Sequence, residues 1–212
     1  MGISIRNEVE SDYRKVEEIT REAFWNLYVP GCHEHYLVHV LRGHPDFIHG
    51  LDFVAVDDNK VIGNIMFSRS YVVNETGEKA DTITFGPVSV LPEFQKKGVG
   101  SALIRHSIAK ASEAGYKAII IYGDPHNYCR HGFKNGKDHG VSDPEGNYPY
   151  GLLVLELEKG VFEGHSWKFY ASGVYMIDSS ASEEFDKQFE PKSKGYKHTQ
   201  ELFSIQCRAH LK

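Results

Sequence analysis

The segment from Phe85 to Ile104 constrains the fold of this chain most strongly, because it joins a strand, a glycine-bearing turn and a long helix. The strand is predicted over residues 82–90, and Pro92 lies just beyond its end, since proline cannot donate to a β ladder. The helix is predicted over residues 99–114, where apolar residues recur at helical spacing. Between them lies the turn Gln95-Lys96-Lys97-Gly98-Val99-Gly100. A turn of this kind before a helix indicates an anion site.

The chemistry of such a site comes from the backbone of the turn. The first amides of a helix have no partner inside the helix, and the helix dipole leaves partial positive charge beside them. Gly98 and Gly100 carry no side chain that would keep a phosphate away from the backbone. Lys96 and Lys97 add positive charge. A glycine turn without any ligand is the alternative reading of the same residues.

Two common phosphate-binding motifs are excluded by the residues of this turn. A P-loop ends in Gly-Lys followed by Ser or Thr, and that ending is absent. The dinucleotide-binding fingerprint requires a third glycine where this chain has Leu103. The turn alone therefore leaves the kind of phosphate open.

Helices and strands follow one another through the first 160 residues. The strands before the turn are predicted to be antiparallel, and Ser11 is predicted to cap the first helix. The short apolar strand after the long helix is typical of a buried, parallel arrangement. Strands are predicted over residues 3–6, 51–56, 61–73, 82–90, 118–122 and 152–157, and helices over residues 12–24, 34–42, 99–114 and 125–131.

Residues 161–212 do not continue this pattern. Residues 167–177 are strand-prone, and residues 182–189 are amphipathic in the helical sense. Aromatic residues are too frequent here for simple disorder. We therefore divide the chain into a domain over residues 1–160 and an extension over residues 161–212, which packs on the core or on a partner subunit. The aromatic residues are Trp167, Phe169, Tyr170, Tyr175, Phe185, Phe189 and Phe203.

Charge and composition exclude several classes of protein. The net charge of −5 argues against a nucleic-acid binder, which needs a basic surface. No stretch approaches the roughly 18 apolar residues of a membrane span. We expect no secretory signal, and the three cysteines are too few for a disulfide framework. We expect a cytoplasmic protein without a membrane partner.

The motif Gln95-x-x-Gly98-x-Gly100, preceded by Val88-Ser89-Val90-Leu91-Pro92, resembles the acetyl-CoA motif of the GNAT superfamily. The resemblance covers residues 2–157 and extends to the YhbS-like bacterial N-acetyltransferases of that superfamily. These share a Gly-Pro-x-x-Val-x-Pro run, here residues 86–92, before the motif. They also resemble Gly123-Asp124-Pro125 and Gly132-Phe133 further along the chain.

The resemblance implies a fold and a mode of cosubstrate binding. The fold is of the α/β (α+β) class: a mixed, mostly antiparallel sheet of about six to seven strands, flanked by helices. A parallel pair of strands splays apart where acetyl-CoA binds. Backbone groups of Val88 and Val90 would bind the pantetheine arm like an added strand. The residues expected to hold the pyrophosphate are Gln95, Lys96, Lys97, Gly98, Val99, Gly100 and Ser101.

Transfer of an acetyl group from a thioester to an amine poses two proton problems. The amine must be neutral to attack, and the departing thiolate is better stabilised if an acid protonates it. The resemblance places Tyr128, in Tyr128-x-x-x-Gly132-Phe133, beside the sulfur as general acid. Its phenol, with a reference pKa of about 10, is protonated at neutral pH. The alternative is that Tyr128 only packs against the cosubstrate, and Asn127 is a further candidate for lining it.

The general base stays open at the level of the sequence. The side-chain candidates are Asp124, Asp81, Glu34, His33 and His126, and deprotonation through water is an equal alternative. Asp124 also fits a turn or cap role before Pro125. His33, His35 and His39 invite a metal interpretation, but no third ligand is clear on one helix face. We expect no metal and assign this region to the acceptor wall.

The sequence thus predicts an enzyme that uses acetyl-CoA as cosubstrate and acetylates an amine, with a small molecule as the preferred acceptor. Two alternatives remain: a module that binds acetyl-CoA without transferring it, and an enzyme that acetylates a protein lysine or N-terminus. A homodimer completed by the extension is a further possibility. Cys129 could suggest a thiol nucleophile, but direct transfer does not need one.

Overall fold

A computed structural model describes residues 2–212 of the chain. The strands are β1 (Ser4–Asn7), β2 (Phe53–Asp57), β3 (Lys60–Asn74), β4 (Lys79–Val90), β5 (Ala118–Tyr122), β6 (Lys134–Asn135), β7 (Val141–Ser142), β8 (Tyr148–Pro149), β9 (Leu152–Glu156), β10 (Trp167–Tyr170) and β11 (His210–Leu211). The helices are α1 (Tyr13–Phe24), α2 (Glu34–Leu41), α3 (Val99–Glu113), α4 (Pro125–Tyr128), α5 (Ser179–Asp186) and α6 (His198–Arg208).

One mixed sheet organises the described residues. Its main path runs β1-β2-β3-β4-β5-β9-β6, in which β4 and β5 are parallel and the other neighbours are antiparallel. This confirms the predicted α/β fold with a mixed, mostly antiparallel sheet. The described sheet has nine strands rather than six to seven, because β7 and β10 extend it beyond that path. β8 and β11 form a separate small pair.

Helices cover both faces of the sheet. Side chains of β3 alternate between the faces, as a strand requires: Ile65 and Phe67 belong to one core cluster and Met66 to the other. Leu103 of α3 packs into the first cluster and Val16 of α1 into the second. The helix that follows the glycine turn is therefore fixed against the sheet on the face opposite to α1 and α2.

The start of α1 differs from the sequence prediction. Ser11 is not its cap: the helix begins at Tyr13, and a short 3-10 turn over Glu10–Asp12 precedes it. Asp12 stabilises the turn before the helix instead, because its carboxylate accepts from the Val9 amide at 3.0 Å and pairs with Arg6. The acidic side chain therefore tightens the turn that precedes the helix.

The segment after residue 160 packs against the rest of the chain. β10 pairs with β3 and is shorter than the predicted strand, since a 3-10 turn over Gly173–Tyr175 follows it. α5 begins earlier than predicted, because Asp178 accepts from the amides of Ser180 and Ala181. The sequence did not indicate α6. Whether residue 160 separates two folding units stays a prediction.

No helix among residues 2–212 is long and apolar enough to cross a lipid bilayer.

Candidate active site

The parallel pair β4 and β5 touches at one point and then separates. Ile83 and Ile119 are register partners, and Thr84 Oγ1 donates to the carbonyl of Ile120 at 2.8 Å. Beyond this point β4 bulges, because two of its residues, Gly86 and Pro87, lie opposite a single residue of β3. A bulge bends its strand. The bend accounts for the gap that opens between the carboxyl ends of the two strands.

The backbone of β4 presents polar groups to this gap. The amide of Leu91 donates to Ile62 of β3 at 2.9 Å. Backbone groups of successive residues in a strand point to opposite sides, so those of Val88 and Val90 point away from β3. Gln95 Nε2 donates to the Val90 carbonyl at 3.0 Å. The two predicted residues therefore face the side on which β5 has diverged.

The glycine turn presents a row of amides at the start of α3. Gly98 is the N-cap in the left-handed region, with φ of 88°, and no side chain caps the helix. Within residues 2–212, the amides of Val99, Gly100 and Ser101 donate to no protein acceptor. Uncapped amides of this kind bind anions. A Cβ at position 98 would meet nothing within 4 Å, which leaves the approach to the backbone open.

Basic side chains lie beside this turn and on or near the helix that follows it. Lys96 and Lys97 are exposed beside the turn. Sequence reasoning missed Arg105 of α3 and Arg130, which lies two residues beyond α4. Burial lowers the pKa of His131, and the charges of Arg105 and Arg130 lower it further, so the three side chains are neighbours. No local motif signals them, because they meet only when α3 and the segment after α4 pack together.

Tyr128 lies where the gap between β4 and β5 begins. Its ring packs against Phe85 of β4, with 5.6 Å between centroids, and against Phe133 at 6.1 Å. Asp124 caps α4 by accepting from the His126 amide at 2.9 Å, as its turn role predicts. Burial raises the pKa of the Tyr128 hydroxyl above its usual value. The phenol is therefore a proton donor throughout the neutral range.

Tyr28, in the loop between α1 and α2, links several elements at this end of the sheet. Its pKa is raised to about 12, chiefly by burial and also by the charges of Glu34, Asp124 and Cys207. The charges of Tyr28 and Asp124 likewise raise the pKa of Tyr128. Glu34 of α2, Asp124 and the tail residue Cys207 thus surround Tyr28, next to Tyr128.

Helix α6 lies over this group. Phe203 stacks on Tyr28 with 4.4 Å between centroids, and Gln206 Nε2 donates to the carbonyl of Gly123 at 3.3 Å. Thr199 Oγ1 donates to the carbonyl of Leu27 at 2.7 Å. The helix therefore bridges the loop before α2 and the turn after β5.

The other predicted residues lie in different surroundings. Asn127 and His126 are exposed on α4. Asp81 lies near the start of β4, on the side of the Ile83–Ile119 contact away from the gap. His33 Nδ1 lies 3.0 Å from Ser182 Oγ of α5. Of the predicted base candidates, the structure groups Glu34 and Asp124 with Tyr28 and Tyr128.

The histidines around α2 have separate partners. His35 is buried, with Nδ1 at 3.3 Å from Cys32 Sγ and Nε2 at 3.1 Å from Asp186. Burial lowers the pKa of His35 to about 4. His39 Nδ1 lies 2.9 Å from Glu17. The residues from 2 to 212 contain no group of three or more His, Cys, Asp and Glu side chains arranged to hold a metal ion.

A sheet that splays beside a helix start rich in unpartnered amides defines a protein that can bind an anionic group at the helix and an extended ligand along the strand. Residues 8–133 match the acetyltransferase (GNAT) family, and the chain belongs to that family. It is therefore an acetyl-CoA-dependent N-acetyltransferase. This confirms the resemblance, the enzyme class and the cosubstrate that the sequence predicts.

Named relatives agree with this assignment. The chain is similar to the uncharacterized N-acetyltransferase YhbS of Escherichia coli strain K12, at 31% identity over 136 residues, which cover 64% of this chain and 75% of that protein. The crystal structure of YhbS from Escherichia coli in complex with CoA has a TM-score of 0.71 at 24% identity and covers 82% of this chain and 92% of that one. The likeness at this identity shows the fold.

A second solved structure is similar over most of its length. It is a GNAT family acetyltransferase from Brucella melitensis in complex with acetyl-CoA, with a TM-score of 0.63 and 27% identity. The match covers 82% of this chain and 98% of that one. Both matches reach well beyond the middle of the chain, in agreement with the continuous sheet described above.

Proposed function

We propose that the chain transfers the acetyl group of acetyl-CoA directly to the amine of a small molecule, with Tyr128 as the general acid. The observation that carries this proposal is the packing of Tyr128 against Phe85 of β4, just before the bulge at which the β4–β5 gap opens. Its raised pKa keeps the hydroxyl protonated, so it can donate to a departing thiolate.

The residues that would bind the cosubstrate match its pyrophosphate and its pantetheine arm in chemistry. The amides of residues 96–101 suit a pyrophosphate, because those of the first turn of α3 have no protein acceptor among the described residues. Gln95 and the lysines flank that turn, and backbone groups of Val88 and Val90 face the gap where a pantetheine arm would add as a strand. Asn127, exposed on α4, would line the arm. When bound, acetyl-CoA supplies the acetyl group as an activated thioester.

Support comes also from the two similar structures, which hold CoA and acetyl-CoA. The fit of this chain to the same ligand rests on its own residues: an uncapped helix start, a bulged strand and the half-buried phenol of Tyr128. No covalent enzyme intermediate is needed, since Cys129 is exposed at the surface rather than placed between Tyr128 and β4.

A small acceptor is favoured by the cover that the tail provides. Ser193 accepts from Trp25 Nε1 at 3.0 Å, and Gln206 reaches Gly123 on the other side. The tail thereby spans the region beside Tyr28 and Tyr128. We infer that α6 narrows the access to Tyr128, which favours a small amine over a lysine on a folded protein.

An assay of free thiol release over a panel of small amines tests the proposal. Tyr128→Phe should lower kcat by about 100-fold, in the range for loss of a general acid, while the Kd of acetyl-CoA stays nearly constant. Tyr122→Phe is the matched control, because Tyr122 packs on Phe169 at the opposite face of the sheet. Tight binding of acetyl-CoA without turnover of any amine would support a non-catalytic binding module instead.

A further inference from the structure

Glu34 is a carboxylate without a cationic partner. Its Oε2 accepts from the amide of His33 at 3.0 Å, and burial raises the pKa of its carboxyl group. By contrast, the carboxylate of Glu8 pairs with the guanidinium of Arg42 at 2.8 Å. Among the described residues Glu34 pairs with no Lys, Arg or His. A desolvated carboxylate that has no cationic partner in the protein is suited to bind a cationic group of a ligand.

The position of Glu34 relates it to the proposed acid. Its charge raises the pKa of Tyr28, and the charge of Tyr28 raises that of Tyr128. These side chains come from the start of α2, the loop before it and the end of α4. They lie at the same end of the sheet as the β4–β5 gap, where the acetyl group would be presented.

Apolar surface lies beside this carboxylate. Tyr28 stacks on Phe203 of α6. It also packs against Phe24 of α1, with 5.8 Å between the ring centroids of Tyr28 and Phe24. The end of the tail fixes α6 in place, since β11 pairs with β8 through His210 and Pro149. An acceptor that enters here meets the carboxylate of Glu34 and a wall of aromatic rings, while the nearby Asp124 already accepts from the His126 amide.

We propose that Glu34 binds the ammonium group of the acceptor and takes its proton, and that Tyr28 and Phe203 contact the rest of that molecule. The acceptor is accordingly a small primary amine with an apolar or aromatic body. This inference rests on the proposed function and names its substrate class and its base. Phe203 is then a specificity-determining residue contributed by the tail.

The proton balance closes with these residues. Glu34 takes one proton from the ammonium, which leaves a neutral amine with a free electron pair. That pair forms the C–N bond to the acetyl carbon while the C–S bond breaks, and the sulfur takes a proton from Tyr128. The nitrogen then returns a proton to Tyr128, and Glu34 releases its own to water. The net products are an acetamide, free CoA and one proton.

The variants Glu34→Gln and Phe203→Ala test the inference in the full chain, with 2-phenylethylamine, tryptamine and n-hexylamine as probes. Glu34→Gln should raise the KM of the amine by about tenfold or more, because it removes a charge-assisted hydrogen bond. Phe203→Ala should raise it by about threefold to tenfold, chiefly for the two aromatic amines. The Kd of acetyl-CoA should not change, which also shows that each variant is folded. Glu201→Gln and Leu202→Ala, on the exposed side of α6, are matched controls.

The pH profile separates a proton acceptor from a merely structural carboxylate. The wild type should lose kcat/KM as the pH falls through the raised pKa of Glu34, and Glu34→Gln should lose this acidic limb. Tyr28, Cys32, His33 and Asp124 are the other titratable groups around this position. Wild-type kinetics in both variants, together with turnover of the amines, would overturn the inference and leave the proposed function standing.

Labelling of Cys207 tests the subsite without turnover. In a Cys129→Ser background, N-ethylmaleimide modification of Cys207 beside Tyr28 is followed by mass spectrometry. The amines should slow it severalfold, and Glu34→Gln should abolish this protection. Protection without turnover would uphold the subsite and refute the proposed function. Equal labelling with and without every amine would overturn the inference.

Discussion

The ring of Tyr128 lies against the backbone of Gly123. A Cβ atom at position 123 would stand 2.5 Å from Cε2 of the ring and 2.8 Å from Cδ2, closer than real Cβ contacts. Gly123, directly after β5, leaves room for the ring of Tyr128, and any larger residue would place its Cβ atom in the space that the ring occupies. The position of Tyr128 depends on this contact and on its packing against Phe85.

Gly123→Ala should therefore displace Tyr128 without touching its chemistry. We expect kcat to fall by about tenfold to 100-fold, since a displacement of about 1 Å at a reacting group has effects of this size. The Kd of acetyl-CoA should change little. Gly50→Ala is the control, because a Cβ there meets nothing within 4 Å. A normal kcat for Gly123→Ala would mean that the exact place of the ring does not matter.

Gly98→Glu should abolish tight binding of acetyl-CoA. It places a negative charge at the uncapped start of α3 and forces a side chain onto a residue with φ of 88°. We expect the Kd to rise by at least about tenfold, because hydrogen bonds to a charged group contribute about 1.5–3 kcal/mol each.

Gly146→Glu controls for backbone strain in that experiment. Gly146 has a φ of 89° and equally open surroundings, but lies in a turn before β8. Both variants should lose about 1–2 kcal/mol of stability from the left-handed conformation. Isothermal titration should show weakened binding only for Gly98→Glu, and equal binding by the two variants would contradict the assignment of the turn.

The local features of this fold could be predicted from the sequence, because they depend on neighbouring residues. Periodicity located α3 and β5 to within a residue or so, and the glycines placed the turn. The bulge in β4 also had a local signal: Gly86-Pro87 inside a strand indicates an irregularity, since proline is confined to edges and bulges. The sequence therefore contained the cause of the gap as well as the turn beside it.

The contacts of the tail could not be predicted in this way. Phe203 stacks on Tyr28, and Arg21 pairs with Asp186 at 2.6 Å, across more than 160 residues of sequence. No local sequence pattern around either residue of such a pair identifies the other residue. The same holds for the choice between Glu34 and the other base candidates, which depended on what surrounds each carboxylate after folding.

Arg105 and Arg130 should contribute to the capture of acetyl-CoA through their charge. Both are near His131, and Arg105 belongs to α3 itself. Arg105→Gln and Arg130→Gln should each raise the KM of acetyl-CoA by about threefold at low salt and by less at 1 M, where the Debye length is about 3 Å. Arg208→Gln, on the exposed side of α6, should have no effect at either salt concentration. A rise in the KM of acetyl-CoA that does not depend on salt would indicate that the arginine has a structural role.

Asp52 should make the stability of the fold depend on pH. The pKa of its carboxyl group is raised to about 9, chiefly by burial and also by the neighbouring Glu8, with Arg42 acting in the opposite direction. A carboxyl group with a raised pKa stabilises the folded state fully below its unfolded pKa of about 4. That contribution is lost progressively as the pH rises towards 9, because the folded state must then give up a proton that it holds more tightly than the unfolded chain.

Asp52→Asn removes this titration while leaving the Glu8–Arg42 ion pair in place. We expect the Tm of the wild type to fall by several degrees more than that of the variant between pH 6 and pH 9, since about 1 kcal/mol shifts Tm by about 2–4 °C at this chain length. Asp81→Asn, an exposed carboxyl group, is the control and should leave the pH dependence unchanged. If differential scanning calorimetry gives parallel pH profiles for wild type and Asp52→Asn, the proton is not held at this position. The protein would then owe its alkaline sensitivity to other groups.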